Sequence, residues 1–346
     1  MTNKVIVTGG AGVIGQAICR RLLQSDYVPV AADLKPAVDE LDLHEAGLDG
    51  ALAVAMDVSD RGSVAEAVGS VIADGETVAG LVNCAGILRD SFLGRSTTLT
   101  YSGANAVVTG AASGIGAATA ATLMSAGIRT IRLDIRQPDP DPRYGEDLQV
   151  CCAADVRDPG VVAVLQARGV DTTAISYLVN CAGIIDNTGF TGVTREQWTR
   201  CLEVNLIGAY NLIDALTPSL RAGGAGAVVN ITSIEAHRVI ALSDPDPTPQ
   251  YAASKAGLRM LTQTSARALA ADGVRVNSVS PGFVATPMAA THGDTSSLPP
   301  TLATRVPAGR FARPDEIASA AAFLLSDQAT YITGSDLRVD GGFELT

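Results

Sequence analysis

The heptapeptide LVNCAGI occurs twice in this chain, at residues 81–87 and again, without a change, at residues 178–184. Each copy is preceded by the same three features in the same order: a Gly-rich stretch (TGGAGVIG, then TGAASGIG), an aspartate that closes an apolar run, and an Asp-Val pair. The offsets between the two sets are 101, 101, 98 and 97 residues. The sequence therefore predicts one strand-helix module that is built twice, which is too long for a solenoid repeat.

The two copies continue differently along the chain. After the first copy, residues 93–104 are rich in Ser, Thr and Gly and are predicted to form a linker. After the second copy the chain continues for 162 residues of alternating helix-like and strand-like stretches, which is typical of a parallel sheet covered on both faces. The predicted fold is α/β: an incomplete Rossmann-type half-unit at residues 1–92, then a complete, doubly wound Rossmann-type unit at residues 105–346.

The half-unit would leave one strand with an open edge. Residues 79–84 are apolar and carry no charge. Because unpaired strand edges invite association, we expect this edge to be covered in the native protein, by the complete unit or by a second copy of the chain.

Composition and charge exclude several function classes. Apolar residues make up 47% of the 346, enough for a large core, and no apolar run reaches the ~20 uncharged residues that a membrane span needs. A net charge of −11 argues against a nucleic acid or an anionic membrane as partner. The six cysteines and three histidines show no metal-ligand spacing, so no metal site is predicted. Reduced thiols and the absence of a signal-peptide pattern predict a cytoplasmic protein.

The second Gly-rich stretch has the pattern of a dinucleotide site. Glycines between a strand and a helix let backbone N–H groups and the helix N-terminus approach a pyrophosphate. Asp134 lies 18 residues beyond Gly116, where it would accept hydrogen bonds from the adenosine ribose. A carboxylate there repels a 2′-phosphate and favours NAD, while the neighbouring Arg136 keeps NADP as the less favoured alternative. The predicted contacts are Gly110, Ser113, Gly114, Ile115, Gly116 and Asp134.

The first Gly-rich stretch has the same ingredients. Gly10, Gly12 and Gly15 have Gly-x-Gly-x-x-Gly spacing, and Asp33 lies 18 residues beyond Gly15. Two interpretations stay open: a second nucleotide site, or a loop kept because its own turn needs it. Half a fold supplies no pocket for a nicotinamide.

A tyrosine and a lysine in the second unit indicate proton chemistry. Tyr251 and Lys255, in YAASK, are four residues apart and would share one face of a helix. A free tyrosine has a pKa near ~10, and a nearby ammonium favours the phenolate. Upstream, Ser233 closes an apolar run, where its hydroxyl could bond a substrate oxygen. An ordinary amphipathic helix would also explain the Tyr-Lys spacing by itself.

These motifs together resemble a known family. Residues 105–346 resemble a complete short-chain dehydrogenase/reductase in TGAASGIG, DV, NCAG, EVNLIGAY, NITS, YAASK, RVNSVSPGFVATPM and YITGSDLRVDGG, and residues 1–92 resemble its opening. The resemblance implies hydride transfer between NAD and a secondary alcohol or ketone, with Tyr251 as acid/base and Ser233 polarising the substrate oxygen. It also implies that Lys255 lowers the tyrosine pKa and holds the nicotinamide ribose, and that Asn205 positions a water in a proton relay.

The resemblance implies further contacts and an assembly. Additional cofactor-binding residues would be Asp155, Val156, Asn180, Ala182, Gly183, Lys255, Pro281, Gly282 and Thr286. The family usually forms homodimers or homotetramers. The chain departs from the family in writing Asn-Cys-Ala-Gly for Asn-Asn-Ala-Gly and in a longer segment between Ser233 and Tyr251.

Substrate specificity is expected to lie in two segments. Residues 235–249 include Glu235, His237 and a Pro- and Asp-rich surface loop, and residues 289–300 are expected to form a lid. We expect His237 to be a loop residue, because the Tyr-Lys pair already supplies the proton chemistry. Sugars, steroids, acyl thioesters and small ketones all remain candidate substrates. The alternatives to an alcohol dehydrogenase are a 3-oxoacyl-thioester reductase and an NAD-binding scaffold or sensor.

Overall fold

A computed structural model describes most of the chain, namely residues 3–25, 27–72, 77–84, 99–186, 188–240, 248–291 and 293–346. The chain divides into two compact units, Met1–Thr98 and Leu99–Thr346. Within the described residues, no helix is both long enough and apolar enough to cross a membrane.

The first unit is built around a parallel sheet. Its described elements are β1 (Asn3–Thr8), α1 (Val13–Leu23), β2 (Val28–Asp33), α2 (Lys35–Asp39), β3 (Leu52–Ala55), α3 (Arg61–Val71) and β4 (Thr77–Asn83). The four strands are parallel in the order β3-β2-β1-β4. Alternate residues of β1 pack in opposite directions: Val5 and Val7 join a cluster with Cys19 of α1, and Ile6 joins one with Ala67 of α3.

The second unit contains the larger sheet. Its strands are β5 (Asn105–Thr109), β6 (Arg129–Asp134), β7 (Gln149–Ala153), β8 (Ile175–Asn180), β9 (Ala227–Ile231), β10 (Arg275–Pro281) and β11 (Asp336–Val339). They are parallel in the order β11-β10-β9-β8-β5-β6-β7. The order β7-β6-β5-β8 repeats the arrangement β3-β2-β1-β4 of the first unit.

Helices cover both faces of the larger sheet. They are α4 (Gly114–Ser125), α5 (Val161–Ala167), α6 (Arg195–Leu202), α7 (Gly208–Ala222), α8 (Pro249–Leu269), α9 (Pro287–Ala290), α10 (Pro300–Ala303) and α11 (Pro314–Leu325). Val107 of β5 belongs to the cluster that includes residues of α5, α7 and α8, whereas Ala106 and Val108 belong to the cluster that includes α4 and α11. The predicted doubly wound Rossmann-type fold is confirmed.

Part of the predicted linker packs against the second unit. The ring of Tyr101 meets that of Tyr177 edge-on with 5.9 Å between centroids, and its hydroxyl donates to the carbonyl of Ala322 at 3.3 Å. The N–H of Gly103 donates to the Tyr177 hydroxyl at 2.7 Å. Residues 99–104 are therefore an ordered part of the second unit, because two aromatic rings anchor them. Residues 85–98, with the rest of the predicted linker, lie outside the described residues.

The repeated sequence is buried to different extents in its two copies. Leu178 of β8 is fully buried in the hydrophobic cluster that includes Leu212 and Leu216 of α7. Its counterpart Leu81, in the edge strand β4, is 60% exposed. Full burial of a leucine is worth about 1.5–3 kcal/mol, so covering Leu81 would be favourable.

Hydrogen exchange tests whether the β4 edge is covered in the native protein. The N–H of Cys84 donates to the carbonyl of Thr8, so the alternating N–H groups of Leu81 and Asn83 point to the open side of the strand. We expect both amides to exchange slowly, because an apolar edge without charges invites pairing. The matched control is the pair Leu178 and Asn180, whose strand is paired with β9. Exchange of Leu81 and Asn83 as fast as in an unstructured peptide would contradict the expectation.

Candidate active site

A cleft of about 1060 Å³ opens in the second unit at the carboxyl ends of its strands, where parallel α/β sheets bind ligands. Thirteen predicted site residues line it, and they come from segments far apart in the sequence: Gly110, Ser113, Gly114, Ile115, Gly116, Asp134, Gly183, Ser233, Tyr251, Lys255, Pro281, Gly282 and Thr286. The fold thus brings the predicted nucleotide loop and the Ser-Tyr-Lys set to one cavity.

The Gly-rich loop between β5 and α4 requires glycine at two positions. Gly110 has a φ of +66°, a left-handed backbone conformation that side chains rarely adopt. A Cβ on Gly116 would lie 2.2 Å from the carbonyl oxygen of Gly110, so only glycine lets the start of α4 come this close to the loop. The N-terminus of α4 therefore faces the cleft with unpaired backbone N–H groups, which suits a pyrophosphate.

The carboxylate of Asp134 is fixed at the rim of this loop. One oxygen accepts a hydrogen bond from the N–H of Ala112 at 3.0 Å and the other from the N–H of Arg136 at 3.1 Å. Held in this way at the end of β6, the carboxylate faces the place where the ribose of a bound dinucleotide would lie.

The first unit repeats this arrangement. The carboxylate of Asp33 accepts from the N–H groups of Ala11 at 3.1 Å and Leu34 at 2.8 Å. A Cβ on Gly15 would lie 2.1 Å from the carbonyl oxygen of Gly9. Close packing of loop and helix alone therefore accounts for the glycine at position 15.

Lys255 and Asn205 are buried beneath the cleft. Lys255 is 4% exposed, and its ammonium donates to the carbonyl of Ile231, at the end of β9, at 2.8 Å. The amide of Asn205 is 1% exposed, accepts from the N–H of Ile184 at 2.8 Å and donates to the Ser254 hydroxyl at 2.9 Å. Asn205 lies in a single π-helical turn, Glu203–Ile207, a feature frequent at functional sites. Its side chain joins the segment after β8 to α8.

Burial shifts the pKa values of the cleft residues away from their usual range. It is the largest influence on Tyr251, whose pKa it raises well above the usual value; the charge of Glu235 adds to this rise, and a hydrogen bond with Ser233 opposes it. Burial lowers the pKa of Lys255 to about 8 and raises that of Glu235 to about 7. All three shifts favour the neutral form of the group.

The sequence-based expectation for the Tyr-Lys pair needs correction. We expected Lys255 to lower the tyrosine pKa, but the Tyr251 pKa is raised in this structure. The Lys255 ammonium lies 5.7 Å from the centroid of the tyrosine ring and donates to Ile231 instead. Desolvation of the phenolate is the largest influence on the Tyr251 pKa and outweighs the hydrogen bond with Ser233 that opposes it.

Several predicted residues do not line the cleft in the described part of the chain. Asn180 is 4% exposed and donates to the side chain of Asn230. Val156 is buried against Gly208, where a Cβ would come within 2.6 Å of it. Asp155 pairs with the guanidinium of Arg157, which holds the pKa of its carboxyl below the usual range. Ala182 and Asn205 also lie outside the lining.

His237 takes part in a separate polar cluster. Its Nε2 lies 2.7 Å from a carboxylate oxygen of Asp336 and 3.2 Å from the Ser280 hydroxyl. It is not among the residues that line the cleft. The cluster fixes the short 3-10 turn after Ser233, Ile234–Ala236, to β10 and β11.

The cleft also contains residues that sequence reasoning did not single out. Thr188, Cys181, Thr248 and Phe283 line it. The only available signal was position: Cys181 lies in the repeated heptapeptide, and Thr248 lies in the predicted specificity segment, residues 235–249.

Comparison with known proteins decides the family. A family model described as short chain dehydrogenase matches residues 3–99, and one described as enoyl-(acyl carrier protein) reductase matches residues 110–344. The chain is 37% identical over 244 residues to the cis-4-hydroxycyclohexanecarboxylate dehydrogenase of Sinomonas cyclohexanicum, a match that covers 69% of this chain and 95% of that protein. The chain belongs to the short-chain dehydrogenase/reductase family.

Other members of the short-chain family agree with this assignment. The chain is 35% identical over 251 residues to the 3-oxoacyl-(acyl-carrier-protein) reductase of Thermotoga maritima, covering 68% of this chain and 96% of that one. A solved short-chain type dehydrogenase/reductase from Mycobacterium marinum has a TM-score of 0.65 at 26% identity, over 71% of this chain and 98% of its own. The protein is an oxidoreductase acting on hydroxyl or keto groups, in a family that uses NAD or NADP.

Proposed function

We propose that the second unit is an NAD(H)-dependent dehydrogenase/reductase that interconverts a secondary alcohol and a ketone. The observation that carries this proposal is the convergence of Ser233, Tyr251 and Lys255 on the cleft that the Gly-rich loop also lines. When bound, the nicotinamide cofactor would supply the two-electron chemistry by giving or taking a hydride at the substrate carbon.

The residues present fit a dinucleotide. A Cβ at position 110 or 116 would occupy the space beside the loop, and the N-terminus of α4 offers N–H groups to a pyrophosphate. Asp134, already oriented by two backbone amides, would bond the ribose and repel a 2′-phosphate. This supports NAD over NADP. Gly183, Pro281, Gly282 and Thr286 would line the remaining length of the cofactor.

Tyr251 carries the proton in this proposal. Its raised pKa keeps the phenol protonated at neutral pH, so it can donate to the oxygen of a ketone during reduction and take the proton back during oxidation. The Ser233 hydroxyl, a hydrogen-bond partner of Tyr251, would bond the same oxygen. Lys255 would hold the nicotinamide ribose and stabilise the phenolate once it forms.

One of the two alternatives has specific support. Similarity to the Thermotoga reductase, and the description of the family model that matches residues 110–344, favour a 3-oxoacyl-thioester reductase, which would use the same residues. A nucleotide-binding scaffold or sensor would need only the loop and Asp134, and it would not need the Ser-Tyr-Lys set.

We propose a simpler role for the first unit, as a truncated duplicate of the opening of the second. Its strand order and Asp33 contacts match those of the second unit. Close packing explains its Gly-rich loop, and residues equivalent to Ser233, Tyr251 and Lys255 do not come after it within the first unit. We therefore propose one dinucleotide per chain.

The remaining proposals concern assembly and location. Ile207, Tyr210 and Met260 keep apolar side chains 46%, 50% and 54% exposed on the segments around α7 and α8. Burial of these side chains between copies would support a homodimer or homotetramer. Six free thiols support a cytoplasmic location.

Replacing Tyr251 separates turnover from binding. We expect Tyr251→Phe to lower kcat for secondary alcohols and ketones by ~10²–10⁴-fold, because it removes the proton carrier and leaves the ring. NADH affinity, measured by fluorescence titration, should change little. Tyr331→Phe, at a fully exposed tyrosine, is the matched control. Undiminished turnover by Tyr251→Phe would contradict the mechanism, whereas NADH binding without any turnover by the wild type would favour the scaffold alternative.

The pH dependence of turnover reports the state of the phenol. Oxidation needs the phenolate, so with a raised Tyr251 pKa we expect kcat/KM for the alcohol to rise up to ~10-fold per pH unit between about pH 6 and 9. Ketone reduction uses the protonated phenol and should vary little over that range. Glu235→Gln removes a charge that raises the Tyr251 pKa and should move the oxidation profile to lower pH. Oxidation that is already pH-independent at neutrality would indicate an acidic phenol instead.

A pair of aspartate variants tests the choice of cofactor and the number of sites. We expect Asp134→Ser to weaken NADH binding and to improve NADPH binding relative to it by at least ~10-fold, because the carboxylate that bonds the ribose and repels a 2′-phosphate is gone. Asp33→Ser, at the equivalent position of the first unit, should leave both affinities unchanged. Calorimetric titration should give one NADH per chain. Two NADH per chain, with one lost in Asp33→Ser, would establish a second site.

A further inference from the structure

Carboxylates from three segments line the described part of the cleft: Asp134, Glu235 and Asp294. Asp134 is occupied by two backbone amides. Asp294 accepts hydrogen bonds from the N–H of Ser296 at 2.9 Å and from the hydroxyl of the same residue. Glu235 is the exception, because its acceptor capacity is largely unused.

Glu235 is held in the cleft by its backbone. Its N–H donates to the Ser233 hydroxyl oxygen at 3.1 Å, so the residue is fixed two positions after the serine proposed to bond the reacting oxygen. Its carboxylate accepts one long hydrogen bond, at 3.4 Å, from the hydroxyl of Thr248. Within the described residues no Lys, Arg or His forms an ion pair with it. Glu235 lines the cleft, and among the described residues its other side-chain oxygen accepts no hydrogen bond.

A carboxylate in this state has a physical cost. Burial raises its pKa to about 7, because the surrounding protein solvates the charged carboxylate less well than water does. Taking a polar group out of water without a compensating hydrogen bond costs on the order of 1–3 kcal/mol, and more for a charge. A ligand that donates a hydrogen bond would offset this cost, whereas a ligand that offers only acceptors would not.

We propose that Glu235 determines substrate specificity by accepting a hydrogen bond from a second hydroxyl group near the reacting carbon. The substrates are then diols or polyols and the corresponding hydroxyketones. This inference rests on the proposed function and chooses among its substrates. An ionised carboxylate only accepts hydrogen bonds. A 3-oxoacyl thioester carries carbonyl acceptors beside its reacting ketone, so its lone pairs would oppose those of Glu235.

The expected preference follows from the strength of a charge-assisted hydrogen bond. Such bonds contribute about 1.5–3 kcal/mol, or ~10–100-fold in kcat/KM. The test compares cis-1,2-cyclohexanediol with cyclohexanol as substrates of the full chain with NAD⁺, at a pH near 9, where Glu235 is ionised. Both alcohols use Tyr251, so their ratio cancels any change in the basicity of that residue.

Two variants and a control define the outcome. The wild type should favour the diol by at least ~10-fold in kcat/KM, and Glu235→Leu should bring the ratio of the two kcat/KM values close to one. Glu235→Gln, which keeps a neutral acceptor, should retain part of the preference. Glu146→Gln, at an exposed carboxylate outside the cleft, is the matched control for charge and should behave as the wild type. NADH affinity reports whether each variant is folded.

A binding measurement keeps the inference separate from the proposed function. Calorimetric titration of the NAD⁺-loaded Tyr251→Phe protein with each alcohol needs no turnover. The diol should bind more tightly than cyclohexanol, and Glu235→Leu should remove the difference. If the wild-type protein oxidises neither alcohol but this difference in binding is present, the proposed activity is contradicted and the role of Glu235 is supported.

Three results would overturn the inference. The first is a diol preference that Glu235→Leu leaves unchanged in both turnover and binding. The second is a higher kcat/KM for a 3-oxoacyl thioester than for 2-hydroxycyclohexanone in the reduction direction. The third is a higher kcat/KM for cis-2-aminocyclohexanol than for the diol. Glu235 would then select an ammonium group and not a hydroxyl group.

Discussion

The pairing of β8 with β9 is the constraint on which the rest of the molecule depends. Leu178 and Asn180 align with Val228 and Asn230 in this parallel ladder. The first unit repeats the strand order up to β4 and has no described strand beyond it. In the second unit, β9 extends the sheet beyond the equivalent strand, β8. It also carries, at its carboxyl end, the two groups that organise the active site.

Those two groups are the carbonyl of Ile231 and the side chain of Ser233. The carbonyl receives the ammonium of Lys255 and so fixes the turn of α8 that contains Tyr251. Ser233 comes two residues later and, through its hydroxyl, holds the backbone of Glu235. The reacting oxygen, the proton carrier and the specificity residue proposed here therefore all depend on where β9 ends. The first unit, which has no equivalent of β9 among its described residues, has the Gly-rich loop but none of the residues proposed to transfer the proton.

Burial is the main influence on the electrostatics of the cleft. It raises the pKa values of Tyr251 and Glu235 and lowers that of Lys255. Burial favours the neutral form of each group, and the charged form of each can be stabilised by a group of the cofactor or the substrate. A cleft arranged in this way couples binding to the protonation states that turnover needs.

The sequence was sufficient for features that depend on local spacing. Gly110, Gly116 and Asp134 could be placed because a tight turn, a helix start and a strand end leave little choice of residue. Tertiary packing decided the rest. The direction of the Tyr251 shift depends on how many atoms surround the phenol, and Asn180 is occupied by Asn230, which lies 50 residues away in the sequence. The sequence also could not show that Glu235 has spare acceptor capacity, because only the fold shows that no cation among the described residues pairs with its carboxylate.

A crystal structure of the full chain with NADH and an unreactive hydroxyketone analogue tests the account most directly. The account predicts a single dinucleotide per chain, with its pyrophosphate on the loop at residues 109–116. The analogue's carbonyl oxygen should lie within hydrogen-bond distance of the hydroxyls of Tyr251 and Ser233. A Tyr251 hydroxyl turned away from the ligand, or a dinucleotide seated on the first unit alone, would contradict it.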